Sequence, residues 1–163
     1  MPIIGSFHEF LKTGALRSVA LGASHAAVCD ALGLPQGAKL PDEPWLSSAD
    51  WYGYGLLNFR FTADSVDLIG LSYMSYLEDA GILSSRGPLD FRGVPESAPN
   101  ITDTLALASS LGLTYELSPD PSDSAHQMPL PPEFFWRLSS SVYIFGRHEK
   151  VISICSRADH SNP

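Results

Sequence analysis

Five histidines, His8, His25, His126, His148 and His160, are the side chains best suited to acid–base or metal chemistry in this chain. None stands in an H-x-H or H-E-x-x-H spacing, and the only two cysteines, Cys29 and Cys155, are far apart. No metal set and no cofactor is therefore expected. His8-Glu9 and His148-Glu149 are sequence neighbours, but neighbouring side chains diverge on a helix or strand, so neither pair is a ready acid–base couple. Ser139-Ser140-Ser141 lacks a G-x-S-x-G elbow, and Gly53-Tyr54-Gly55 lacks the spacing and the following helix of a dinucleotide site. Asp64 with Asp67, and Glu78 with Asp79, act together only if folding aligns them. These residue types predict a chain that is not an enzyme.

Binding chemistry is better represented. Trp45, Trp51, Tyr52 and Tyr54 cluster in sequence with Asp42, Glu43 and Asp50. A second group joins Tyr73 and Tyr76 to Glu78 and Asp79. Buried Trp and Tyr anchors contribute roughly 2 kcal/mol or more each at an interface, and flanking acids pair with Lys or Arg on a partner. The competing reading is that Trp51 and Tyr54 fill the protein's own core. Net charge is −8, and from Pro41 to Glu133 there are 14 Asp and Glu against 3 Arg. Such a surface repels phosphate, so no nucleic acid is expected as a partner, whereas a basic protein would be steered to it.

At 163 residues, 44% of them hydrophobic, the chain can build one core, and a single domain over 1–163 is expected. No apolar run approaches the ~20 residues of a membrane span, and Met1–Gly5 has no charged start or apolar stretch. A cytoplasmic protein without a membrane partner is expected, with reduced cysteines.

Period-3.6 stripes mark helices. Phe7, Phe10 and Leu11 follow a Ser6 cap; Val28, Ala31 and Leu32 follow Ser24; Leu105, Ala108 and Leu111 follow Asn100 or Thr102. Arg17–Leu21 reads as a short extended segment. Leu57, Phe59 and Phe61 alternate with Asn58, Arg60 and Thr62 in a strand that turns at Thr62–Ser65 and returns from Val66 to about Tyr73, centrally in a sheet. Thr114–Leu117, Phe134–Leu138, Val142–Phe145 and Val151–Cys155 are further strands. Gln36–Ser48, Glu78–Pro99 and Ser118–Pro132 read as loops. Leu32-Gly33-Leu34 and Leu111-Gly112-Leu113 each end a helix ahead of a strand pair. The fold class is thus α+β, an antiparallel sheet with helices packed on one face, with tandem helix-plus-hairpin repeats at 6–80 and 100–157.

The run Val19–Ser24, followed by Val28 and Ala31–Pro35, resembles the opening of the β-lactamase-inhibitor-protein-like fold, which small outer-membrane assembly lipoproteins share. Trp51–Phe61, followed by Val66 and Ile69–Leu71, resembles its first hairpin. Similar openings and hairpins occur in small cytoplasmic immunity proteins of bacterial toxin systems. The likeness covers about residues 16–73 and implies a protein that binds another protein. The expected function is an immunity protein that covers the active site of a cognate basic toxin, with Asp42, Glu43, Trp45, Asp50, Trp51, Tyr52, Tyr54, Tyr76, Glu78 and Asp79 at the contact. The alternatives are a small-molecule or chaperone-like binding domain with a cavity between sheet and helices, and an enzyme of unrecognised type in which a cleft joins a histidine to a carboxylate.

Overall fold

The computed structural model describes residues 3–35, 37–38, 50–54, 56–73, 90–95, 97–117 and 134–158. The chain is α+β. The described elements run β1 (Ile3–Ser6), α1 (Phe7–Thr13), α2 (His25–Leu32), β2 (Gly37–Ala38), β3 (Asp50–Tyr54), β4 (Leu57–Thr62), β5 (Ser65–Ser72) and β6 (Asp90–Arg92). They continue with α3 (Ile101–Ser110), β7 (Tyr115–Leu117), β8 (Phe134–Leu138), β9 (Val142–Arg147) and β10 (Lys150–Arg157).

Local chemistry starts each helix. Ser6 accepts from the Glu9 amide at 3.1 Å, Ser24 from Ala27 at 3.1 Å, and Asn100 from Thr102 at 2.8 Å. Gly14 ends α1 at φ +71°, where a side chain would also strike the Ser156 Cβ. The freed carbonyls at that end are taken by the sheet, with Ser140 Oγ donating to Leu11 O and Ser156 Oγ to Gly14 O, both at 2.5 Å.

Eight of the described strands form one antiparallel sheet in the order β2-β3-β4-β5-β10-β9-β8-β7. β5 is central, as its apolar run predicts. The three described helices pack on one face. There Phe10 and Leu11 of α1, Val28 of α2 and Ala108 of α3 meet Phe59, Ile69, Ile144 and Ile154 in the main core. A separate parallel pair, β1 with β6, lies within segments that carry no strand alternation in the sequence.

The order of elements repeats. α2 leads into β2-β3-β4-β5, and α3 leads into β7-β8-β9-β10, and the two quartets join through their last strands. The details match. Val66 N donates to Ala23 O and Val151 N to Pro99 O, each at 2.8 Å. The first helical amide goes to the hairpin tip in both halves: His25 N to Asp64 Oδ1 and Ile101 N to Glu149 O, each at 2.9 Å. The repeating unit differs from the expected one in its start and content. It begins at α2 rather than at Ser6, and it holds four strands rather than one hairpin. The strand β2 falls inside the stretch read as a loop, and Arg17–Leu21 bends at Arg17–Ser18 and enters a turn at Leu21, closed by Ala23 N on Ala20 O at 3.2 Å, rather than running as an extended segment.

The face turned from the helices is apolar in part. Leu68, Phe135, Phe145 and Cys155 form a second apolar cluster on it, flanked by Trp51, Tyr143 and Ile152. The register slips between Arg60 and Phe61, so that Asp67 is the extra residue of a β-bulge. The bulge turns the Asp67 carboxylate to Arg60, with Nε to Oδ1 at 2.8 Å and Thr62 Oγ1 donating to Oδ2 at 2.6 Å. Both charged side chains are buried. Arg60 is therefore interior, not the solvent-facing residue that alternation predicts.

Candidate functional site

Strand alternation divides the aromatic residues expected to act together. On β3, Trp51 pairs with Arg60 and Tyr52 with Phe59, so Trp51 points to the helix-free face while Tyr52 and Tyr54 point to the helices. Tyr54 is fully buried, its hydroxyl donating to Gly33 O at 2.8 Å, and burial is the largest of the causes that raise its phenol above the usual range. Tyr54 is a core residue and not a contact residue, because it anchors the C-terminal end of α2 to the sheet. Trp51 is half-buried against the second cluster, and its indole Nε1 is buried with no acceptor. Tyr73 is also buried, donating to Pro95 O at 3.0 Å. Asp42, Glu43, Trp45, Tyr76, Glu78 and Asp79 lie outside the described residues, and Asp50 is placed at the start of β3 opposite Phe61.

What the fold does gather is a surface at the tip of the β4–β5 hairpin. Asp64, second residue of the turn, reaches the N-terminus of α2 and accepts twice on Oδ1: from the His25 backbone amide at 2.9 Å and from the His25 ring Nδ1 at 2.6 Å. The backbone bond is the larger cause holding the Asp64 carboxyl below its ordinary value, followed by the ring. The His25 ring stacks on Phe61, with centroids 3.8 Å apart at 14°, and meets Tyr52 edge-on at 5.3 Å. Tyr52 in turn lies edge-on to Phe61 at 4.9 Å. The Asp64 side chain is 72% exposed and that of His25 26%. Asp50 begins β3 at this same end of the sheet. The result is an ionised, outward carboxylate beside two half-exposed rings. His25 reads in the sequence only as a residue after a helix cap. No local signal joins it to Asp64, because the contact needs α2 docked across the hairpin.

A ring Nδ1 bonded to a carboxylate is also the orienting half of an acid–base site. Here the same oxygen caps the helix, and its residue is the most exposed of the cluster. Among the described residues, no three His, Cys, Asp or Glu side chains are grouped to hold a metal ion. Cys29 and Cys155 are both free thiols on opposite faces of the sheet, and burial pushes the Cys155 thiol up to about 12. The cavity between the sheet and β1–β6, lined by residues including Ile4, Tyr54, Leu71 and Phe91, measures about 10 Å³, about the space of one water. No described helix is long and apolar enough to cross a membrane. Compared with protein-family models, with curated proteins and with solved structures, the chain matches none.

Proposed function

We propose that this chain is a protein-binding inhibitor, a cytoplasmic immunity protein that neutralises a cognate basic bacterial toxin. The observation that carries the reading is the hairpin-tip surface, where Asp64, held in its charged form, stands 72% exposed beside the rings of Tyr52 and His25. Aromatic rings with an exposed carboxylate beside them are suited to a Lys- or Arg-bearing surface, and the overall charge of −8 steers such a partner in. The resemblance of residues 16–73 to immunity proteins points the same way.

The test is co-expression with the product of the neighbouring gene. The expected result is rescue of growth and a stable complex by calorimetry, weakened by Tyr52→Ala and by Asp64→Lys. Growth arrest despite abundant folded inhibitor, with no complex formed, would remove the proposal.

A further inference from the structure

We propose a second interaction surface, the edge of β7 that no described strand covers, which takes up an extended strand of a partner carrying an apolar–basic–apolar sequence. β7 ends the strand order, and β8 is its one neighbour among the described residues. Its side chains are unusually bare for a strand of apolar character: Tyr115 is 42% exposed and Leu117 63%. Both lie on the helix side of the sheet, with Glu116 between them on the other face.

The hydrogen-bond pattern shows what the edge offers. Thr114 O accepts from Ser139 N at 2.8 Å, so residue 114 faces β8, and by the antiparallel alternation Glu116 does too. The amides and carbonyls of Tyr115 and Leu117 therefore point away from β8. A strand laid along them gains two pairs of backbone bonds.

The side-chain chemistry of that strand can be read from the side already filled. β8 sets Leu138 opposite Tyr115, Arg137 opposite Glu116 and Trp136 opposite Leu117. Trp136 and Tyr115 meet edge-on at 5.4 Å. β7 thus already takes an apolar–Arg–apolar strand, and its own apolar–Glu–apolar pattern is presented unchanged on the open side. A second copy of β7 is the poorer occupant, because a register that sets Tyr115 on Leu117 brings Glu116 against Glu116. The complement is a strand with Lys or Arg between two apolar residues. The inference rests on the proposed function only in that both call for a basic partner; the surface itself is at the far edge of the sheet from the β4–β5 hairpin.

The probe is a fluorescein-labelled peptide with the sequence of residues 134–140, together with a copy in which Glu replaces its arginine. Fluorescence anisotropy on the full chain is expected to show saturable binding at least about ten-fold tighter for the arginine peptide. Glu116→Lys is expected to reverse that preference, and Leu117→Lys to abolish binding, with circular dichroism confirming that both variants fold. Hydrogen exchange supplies the signature of strand addition: the amides of Tyr115 and Leu117 slow on binding, while that of Glu116, already paired to β8, changes little. Equal binding of the two peptides, or binding without slowing at 115 and 117, overturns the proposal. A toxin complex that leaves 115 and 117 unprotected overturns this inference and leaves the inhibitor reading intact. Peptide binding with no toxin complex does the reverse.

Discussion

Asp67 and Asp64 are three residues apart and have opposite fates, which neither composition nor periodicity distinguishes. Asp67 is carried to the helix-free face by a bulge and shares a buried pair with Arg60. Removing one member of such a pair strands the other charge, so Asp67→Ala should cost roughly 3–5 kcal/mol in urea denaturation. The double replacement Arg60→Met with Asp67→Leu should recover most of that loss. Asp64 is exposed, and its carboxyl is lowered from 3.8 by the His25 amide first and the His25 ring second. A depressed folded-state value means that the unfolded chain binds the proton more readily. The stabilisation is therefore complete above the unfolded value and is lost as pH falls through the lower folded one. Asp64→Asn should accordingly be less stable than the parent at neutral pH, and the gap should close on acidification below about pH 4. Denaturant titrations of both proteins across that range check the sign. Cys155, buried and with its thiol pushed up to about 12, should resist a thiol reagent in the native protein and react only on unfolding, whereas half-buried Cys29 reacts first.

Elements were legible where their signals are local. The Ser6, Ser24 and Asn100 caps, the glycine stops, and the alternation of Leu57, Phe59 and Phe61 each read from a handful of neighbours, and the structure places helices and strands there. β1 and β6 were not legible because a short parallel pair takes its identity from a distant partner, Gly5 from Phe91. The bulge at Asp67 was hidden for the same reason, since only the β4 register reveals it. The hairpin-tip surface divides likewise. Tyr52 carried a readable signal, while His25 needed α2 to be docked before it met Asp64. Tyr54 read as a binding aromatic because strand parity tells which residues share a face but not which face is buried. Glycine shows its role at Gly146, whose Cβ position is occupied by the ring of cross-strand Phe134, with Lys150 O also close. Gly146→Ala must displace that ring and should lower stability by about 1–3 kcal/mol, as thermal unfolding would report.

The main sheet, among the described residues, is two quartets of strands closed along one seam, where β5 meets β10 with Leu71 opposite Ile154 and Ile69 opposite Ser156. Neither quartet is complete without the other, because Ile154, fully buried, packs with Ile144 on one side and Leu71 on the other. Ile154→Ala should cost roughly 2–5 kcal/mol, and should do so without splitting the unfolding transition. Calorimetry showing two separated transitions would mean that the halves melt independently.

The seam also governs how the protein can be made. During synthesis β5 leaves the ribosome with its neighbour β4, but its other side stays bare until Ser153 emerges to meet Ser72. For all that time a long, apolar ribbon of backbone is open to any passing strand. Folding then depends on contacts between segments far apart in the chain, which close slowly. Translation speed and chaperone supply should therefore bear on how much folded protein a cell recovers.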